Sequence, residues 1–221
     1  MSFDAANAFR PWQREANWKT KGGWWHLDQN ALTGEHDDDD LACVQGFVTY
    51  YDPNEETGGL CLIPKSHFEF KQVCKRAPAA RLKIDFVQLS SEIEPVLQSS
   101  NAILVCAKAG DLVIWDSRTI HCNTPSLLKE SQCFININEK YDDIIRLVSY
   151  VCMVPYKHAS RGVIESRKKG FIFKKPTGHW PTKEIKTELC VDDKPIKIDE
   201  CSKEVLDLVG FREKSWICII F

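Results

Sequence analysis

Apolar and polar residues alternate over short distances through the first two thirds of the chain, and turn-forming residues interrupt the pattern repeatedly. Trp24-Trp25-His26-Leu27-Asp28 reads as a short, aromatic-rich strand. Cys43–Tyr51 (CVQGFVTYY) is dense in β-formers and is stopped by Asp52-Pro53-Asn54. Leu60–Ile63 follows Gly58-Gly59 and ends at Pro64. Ala102–Lys108 and Asp111–Trp115 flank Ala109-Gly110, which reads as a hairpin turn. Ile144–Val154 is the longest strand candidate and stops at Pro155. Many short strands separated by Gly, Pro and Asp predict a mainly β fold, a barrel or a sandwich.

Helical signals are fewer. Ser66 followed three residues later by Glu69 has capping-box spacing and predicts a helix over about His67–Arg76, closed by Ala77-Pro78. A second helix is expected over Ala159–Lys169, and a third over Ser202–Val209.

Length and charge narrow the reading further. The chain has 221 residues, enough for one domain with one sizeable core. Lys and Arg number 29 against 31 Asp and Glu, a net charge of −2. So balanced a chain lacks the electrostatic footprint of a nucleic-acid binder, and no nucleic-acid partner is expected. No apolar run reaches the roughly 20 residues of a transmembrane helix. The ten cysteines include no CxxC pair, which predicts reduced, mostly buried thiols in a cytoplasmic protein and argues against a zinc knuckle. His36-Asp37-Asp38-Asp39-Asp40 lacks the spaced ligands of a calcium loop and reads as a solvated acidic loop.

The most informative residues are His26-x-Asp28 and, 93 positions after the aspartate, His121. On a strand, positions i and i+2 share a face, so His26 and Asp28 can aim the same way. His121 follows Trp115-Asp116-Ser117-Arg118-Thr119-Ile120 at the end of another strand, where a second wall can supply a third ligand. Two imidazoles and a carboxylate make the facial triad of non-haem Fe(II) sites. The tripeptide alone is equally an ordinary His beside an Asp.

Its context resolves this. His26-Leu27-Asp28-Gln29-Asn30, Cys43-Val44-Gln45-Gly46, Gly58–His67 and Gly110–His121 follow in that order, with Thr177-Gly178-His179-Trp180-Pro181 after them. In these motifs the sequence resembles the phytanoyl-CoA dioxygenase family of Fe(II)- and 2-oxoglutarate-dependent oxygenases, from about Trp24 to Pro181. The resemblance implies a double-stranded β-helix, or jelly-roll barrel, with a few peripheral helices. It implies a single domain over 1–221, with a core of about 24–181, a C-terminal extension over 182–221 and a short or truncated N-terminal region. It also implies Fe(II) on His26, Asp28 and His121, with 2-oxoglutarate and O₂ as cosubstrates.

The far carboxylate of 2-oxoglutarate requires a buried cation, and Arg suits it because its planar fork pairs bidentately and stays charged. In the family this Arg lies on the last core strand, and Arg146 is the only Arg between His121 and Pro155. The separation of 25 positions from His121 to Arg146 implies an inserted loop across Leu127–Ile144. By the same resemblance Gln45 and Asn123 are cosubstrate contacts, with structural amides as the alternative. Arg118 is expected in a structural ion pair, His67 in helix-start packing and His179 in the core.

The expected function is hydroxylation of a small organic substrate with release of succinate and CO₂. The presence of Asp28 disfavours halogenation, because related halogenases leave that ligand position open. The alternative is a non-catalytic barrel acting as a binding or regulatory module, suggested by a triad that begins as early as residue 26. Cys218-Ile219-Ile220-Phe221 fits the C-a-a-X pattern and makes Cys218 a candidate for prenylation, against a simple apolar tail.

Overall fold

The computed structural model describes residues 1–2, 4–34, 43–90, 97, 102–128, 144–183 and 194–211. Nine strands dominate this part of the chain: β1 (Ala6–Phe9), β2 (His26–Leu27), β3 (Val44–Thr49), β4 (Gly59–Leu62), β5 (Val87–Gln88), β6 (Ile103–Leu104), β7 (Leu112–Asp116), β8 (His121–Thr124) and β9 (Arg146–Met153). They form two sheets, one in the order β1-β9-β3-β7 and the other β5-β2-β8-β4-β6. Mainly β architecture is therefore as expected. The sheets do not close into a barrel.

Three strands escape the sequence pattern. β1 (Ala-Asn-Ala-Phe) is short and buries only Phe9, β5 is two residues long, and β8 (His-Cys-Asn-Thr) carries no apolar alternation. β8 nonetheless pairs with β4 through four registered positions, Gly59 with Thr124 to Leu62 with His121. The hairpin expected at Ala109-Gly110 is absent, because β6 pairs with β4 in one sheet and β7 belongs to the other. Gly110, at φ +94°, still turns the chain, and its N–H donates to the Thr49 carbonyl at 2.7 Å.

Helix α1 spans Phe70–Arg76 behind a 3₁₀ turn over Ser66–Glu69. The capping box does not form. The Ser66 hydroxyl instead accepts from the Ile120 N–H at 2.9 Å, tying the turn to the residue before β8. Helices α2 (Arg161–Ile172) and α3 (Lys203–Val209) start close to where the sequence puts them. Ser160 and Ser202 each accept a hydrogen bond from the N–H three residues on, as N-caps do.

The chain divides into two compact units. The larger comprises Asn7–Ala42 and Val48–Val148. Its core packs Phe70, Val73 and Cys74 of α1 with Leu27, Ile63, Val87, Leu89 and Ile120, and a smaller cluster joins Phe9, Trp12 and Ile145. The second unit comprises Met1–Ala6, Cys43–Phe47 and Ser149–Phe221. There Arg167 of α2, almost wholly buried, donates to the backbone carbonyls of Met1 and Leu208. No helix among the described residues is long and apolar enough to cross a membrane. The acidic run 36–40, Tyr141–Asp143 of the expected insertion and Cys218 lie outside the described residues.

Gly58 is a position where glycine is required. It sits at φ +72°, and a Cβ there would lie 2.3 Å from the Thr124 carbonyl oxygen and 2.4 Å from the Pro125 backbone. Both neighbours are backbone and cannot swing aside. Gly58→Ala is expected to cost on the order of 2 kcal/mol or more, read as a lower urea midpoint at unchanged slope. An unchanged midpoint contradicts this packing. The described thiols should also differ in reactivity. Burial pushes Cys74 up to about 11 and Cys122 up to about 12, whereas Cys106 is exposed. In the native chain at mildly alkaline pH, iodoacetamide should label Cys106 well before Cys74 or Cys122, as read by peptide mass spectrometry.

Candidate metal centre

The larger unit brings His26, Asp28 and His121 together, with their ligand atoms all within 4.8 Å of one another. Antiparallel pairing of β2 with β8 sets His26 directly opposite His121. β2 ends at Leu27, so Asp28 lies one residue beyond the strand but keeps its alternation, while Leu27 points into the core. His121 opens β8 rather than closing β7. A turn at Asp116 separates the two strands, with the Thr119 N–H donating to the Asp116 carbonyl and the Arg118 N–H to the Asp116 carboxylate. The residue was thus delivered by a strand the sequence pattern does not reveal.

The geometry assigns the protons. His26 Nδ1 lies 3.1 Å from the Trp24 carbonyl oxygen, and His121 Nδ1 lies 2.9 Å from that of Thr119. A carbonyl only accepts, so each Nδ1 must carry the hydrogen, and in the neutral imidazole Nε2 then presents a lone pair. Both lone pairs face one carboxylate: His26 Nε2 is 3.8 Å from Asp28 Oδ1, and His121 Nε2 is 3.2 Å from Asp28 Oδ2. All three residues are buried, at 4–5% exposure. Converging acceptors in a buried place repel one another unless a proton or a cation sits among them. The donor set, two imidazole nitrogens and a carboxylate, suits a divalent transition metal, and the backbone carbonyls behind the rings are the usual orienting partners.

Aromatic rings enclose the pair. Trp24 stacks on His26 at 4.7 Å and 4°, Phe86 leans on it at 4.8 Å, and Trp115 meets His121 edge-on at 5.4 Å. The sequence singled out none of the three as a site residue. The run of aromatics before His26 is the one signal that could have found Trp24.

Arg146 opens β9 and is wholly buried, the largest such side chain among the described residues. Its Nη1 donates to Asn7 Oδ1 at 2.7 Å, and its guanidinium carbon lies 4.8 Å from the Phe9 ring centre. Its Nε passes 3.3 Å from where a Cβ on Gly59 would stand, so the missing side chain of Gly59 makes room for the guanidinium. The amide and the ring orient the guanidinium. Asn123 is buried on β8, two residues after His121 and therefore on the same face. Gln45 is buried on β3 within the other compact unit. Arg118 pairs with Asp116 at 2.6 Å, as a structural ion pair. His67 packs at a tilt against Phe68 at the start of the 3₁₀ turn. His179 is not a core histidine: its side chain is 42% exposed and it pairs with Asp4.

Comparison with known proteins gives the family. The phytanoyl-CoA dioxygenase (PhyH) model matches residues 5–125, more than half of the chain, and the chain belongs to that family. A curated relative, "Ava biosynthesis cluster protein O" of Aspergillus versicolor, is 26% identical over 81% of this chain and 54% of its own. The chain thus spans about half the length of the curated relative it matches. Among solved structures, a putative oxidoreductase from Salmonella typhimurium LT2 aligns with 76% of this chain and 38% of its own, at 16% identity and a TM-score of 0.49. EctD from S. alaskensis with bound Fe aligns with 66% of this chain and 41% of its own, at 12% identity and a TM-score of 0.38.

The tautomers are directly measurable. In ¹⁵N-detected imidazole spectra of the metal-free chain at alkaline pH, His26 and His121 should both show the pattern of a protonated Nδ1 and a bare Nε2. The opposite tautomer at either residue would remove the lone pair from the site.

Proposed function

We propose that the chain is an Fe(II)- and 2-oxoglutarate-dependent dioxygenase that hydroxylates a small organic substrate, releasing succinate and CO₂. The observation that carries this reading is the buried convergence of two imidazole lone pairs and one carboxylate, within a chain of the PhyH family. His26, Asp28 and His121 would hold the metal, a donor set that suits an iron also binding 2-oxoglutarate and O₂. The iron supplies the activation of O₂ and the oxidative decarboxylation.

The protein's own contribution is placement and exclusion. Arg146 receives the far carboxylate of 2-oxoglutarate, held ready by Asn7, Phe9 and the space at Gly59. A charge-assisted pair of that kind is worth on the order of 1.5–3 kcal/mol. Asn123 offers an amide on the His121 face. Trp24 and Phe86, each partly exposed beside His26, give the substrate an apolar wall and keep water from the metal. The Nδ1–H bonds to the Trp24 and Thr119 carbonyls keep both rings oriented through turnover.

Two measurements test this. Anaerobic Fe(II) with 2-oxoglutarate should give the weak visible charge-transfer band of a chelated keto acid, and His26→Ala or His121→Ala should abolish it. A folded wild-type chain without the band would favour the non-catalytic module. Arg146→Lys should keep the band but raise the 2-oxoglutarate requirement about tenfold or more, because an ammonium cannot reproduce the bidentate fork. An unchanged requirement would remove Arg146 from the site.

A further inference from the structure

We propose that Asp4, Cys152 and His179, with the Cys43 thiol beside Cys152 as a fourth donor, form a second metal site suited to Zn²⁺ in the smaller unit. The four residues come from separate segments: the N-terminal stretch, the residue before β3, the penultimate position of β9 and the stretch after α2. All four belong to that one unit. The ligand atoms of Asp4, Cys152 and His179 lie within 4.8 Å of one another. His179 Nδ1 contacts Asp4 Oδ2, and both the Cys43 thiol and His179 hydrogen-bond to Cys152. Cys43 Sγ also lies 3.9 Å from the His179 carbonyl oxygen.

Burial and chemistry separate this cluster from a chance surface group. Cys43 and Cys152 are each 2% exposed and the Asp4 side chain 9%, while His179 is the open flank through which an ion can enter. Two sulfurs, one imidazole and one carboxylate are a donor set of structural zinc, whose ligands stand about 2.0–2.3 Å from the ion. The sulfur content distinguishes it from the all-nitrogen-and-oxygen set of His26, Asp28 and His121, and thiolates select zinc over oxygen-seeking cations. The positions are also braced from behind. The Cys152 N–H donates to the Ser2 hydroxyl at 2.8 Å, and Tyr150 meets the His179 ring edge-on at 5.9 Å. An ion here would clamp four chain segments far apart in sequence, adding its binding free energy to that of folding.

The test uses the full chain, reduced and stripped of metal. Cobalt(II) should produce an intense thiolate-to-metal band in the near ultraviolet together with tetrahedral visible bands, which a nitrogen-and-oxygen triad does not give. Zinc should displace them and raise the melting temperature. Cys152→Ser should cut the thiolate band to about half or less, since Cys43 is then the one sulfur donor left in the cluster, and His179→Ala, at a half-exposed position that folding tolerates, should weaken zinc binding about tenfold or more. The proposal is overturned if the folded wild-type chain shows no thiolate band, or if neither variant changes the band or the zinc affinity. It is equally overturned if zinc leaves the melting temperature unchanged.

Discussion

The structure depends on one contact between strands: His26 of β2 set opposite His121 of β8. That single register places two Nε2 atoms on either side of the Asp28 carboxylate and leaves three acceptors pointing at one place. Such an arrangement is unfavourable in itself. Burial removes water, the Trp24 and Thr119 carbonyls fix the rings, and no rotation of either imidazole relieves the crowding without losing a hydrogen bond. A cation converts that repulsion into attraction, so the same residues that destabilise an empty pocket make a selective one.

The rest of the larger unit supports that register. β4 holds β8 over its whole length, and Gly58 and Gly59 let β4 approach closely at two points. At Gly58 the neighbour is the backbone of Thr124 and Pro125 where β8 ends, and at Gly59 it is the Arg146 side chain. The same pair of glycines therefore serves both the strand that carries His121 and the guanidinium assigned to the cosubstrate. Ser66, which sequence rules place at a helix cap, is used instead to anchor Ile120, one residue before His121. Local preference gives way here to positioning of the site.

What could be read from the sequence follows from what each signal depends on. Strands with apolar content, such as β3 and β9, were visible because packing demands that content. β8 was not, since its residues His121, Cys122, Asn123 and Thr124 are there for the site and for pairing with β4. The hairpin at Ala109-Gly110 failed because a turn signal says that the chain bends and not which sheet it enters next. His26, Asp28 and His121 were legible as a set through spacing and motif order, and their convergence is a matter of geometry alone. The environment of His179 was not legible at all, since its partners Asp4 and Cys152 lie far away in sequence.

Iron K-edge absorption of the Fe(II)-loaded chain measures the central coordination most directly. Ligation by His26, Asp28 and His121 predicts a first shell of nitrogen and oxygen only, with the outer-shell scattering of two imidazoles, reduced by one imidazole in His121→Ala. A sulfur shell around the iron, or an imidazole count indifferent to that substitution, would contradict it.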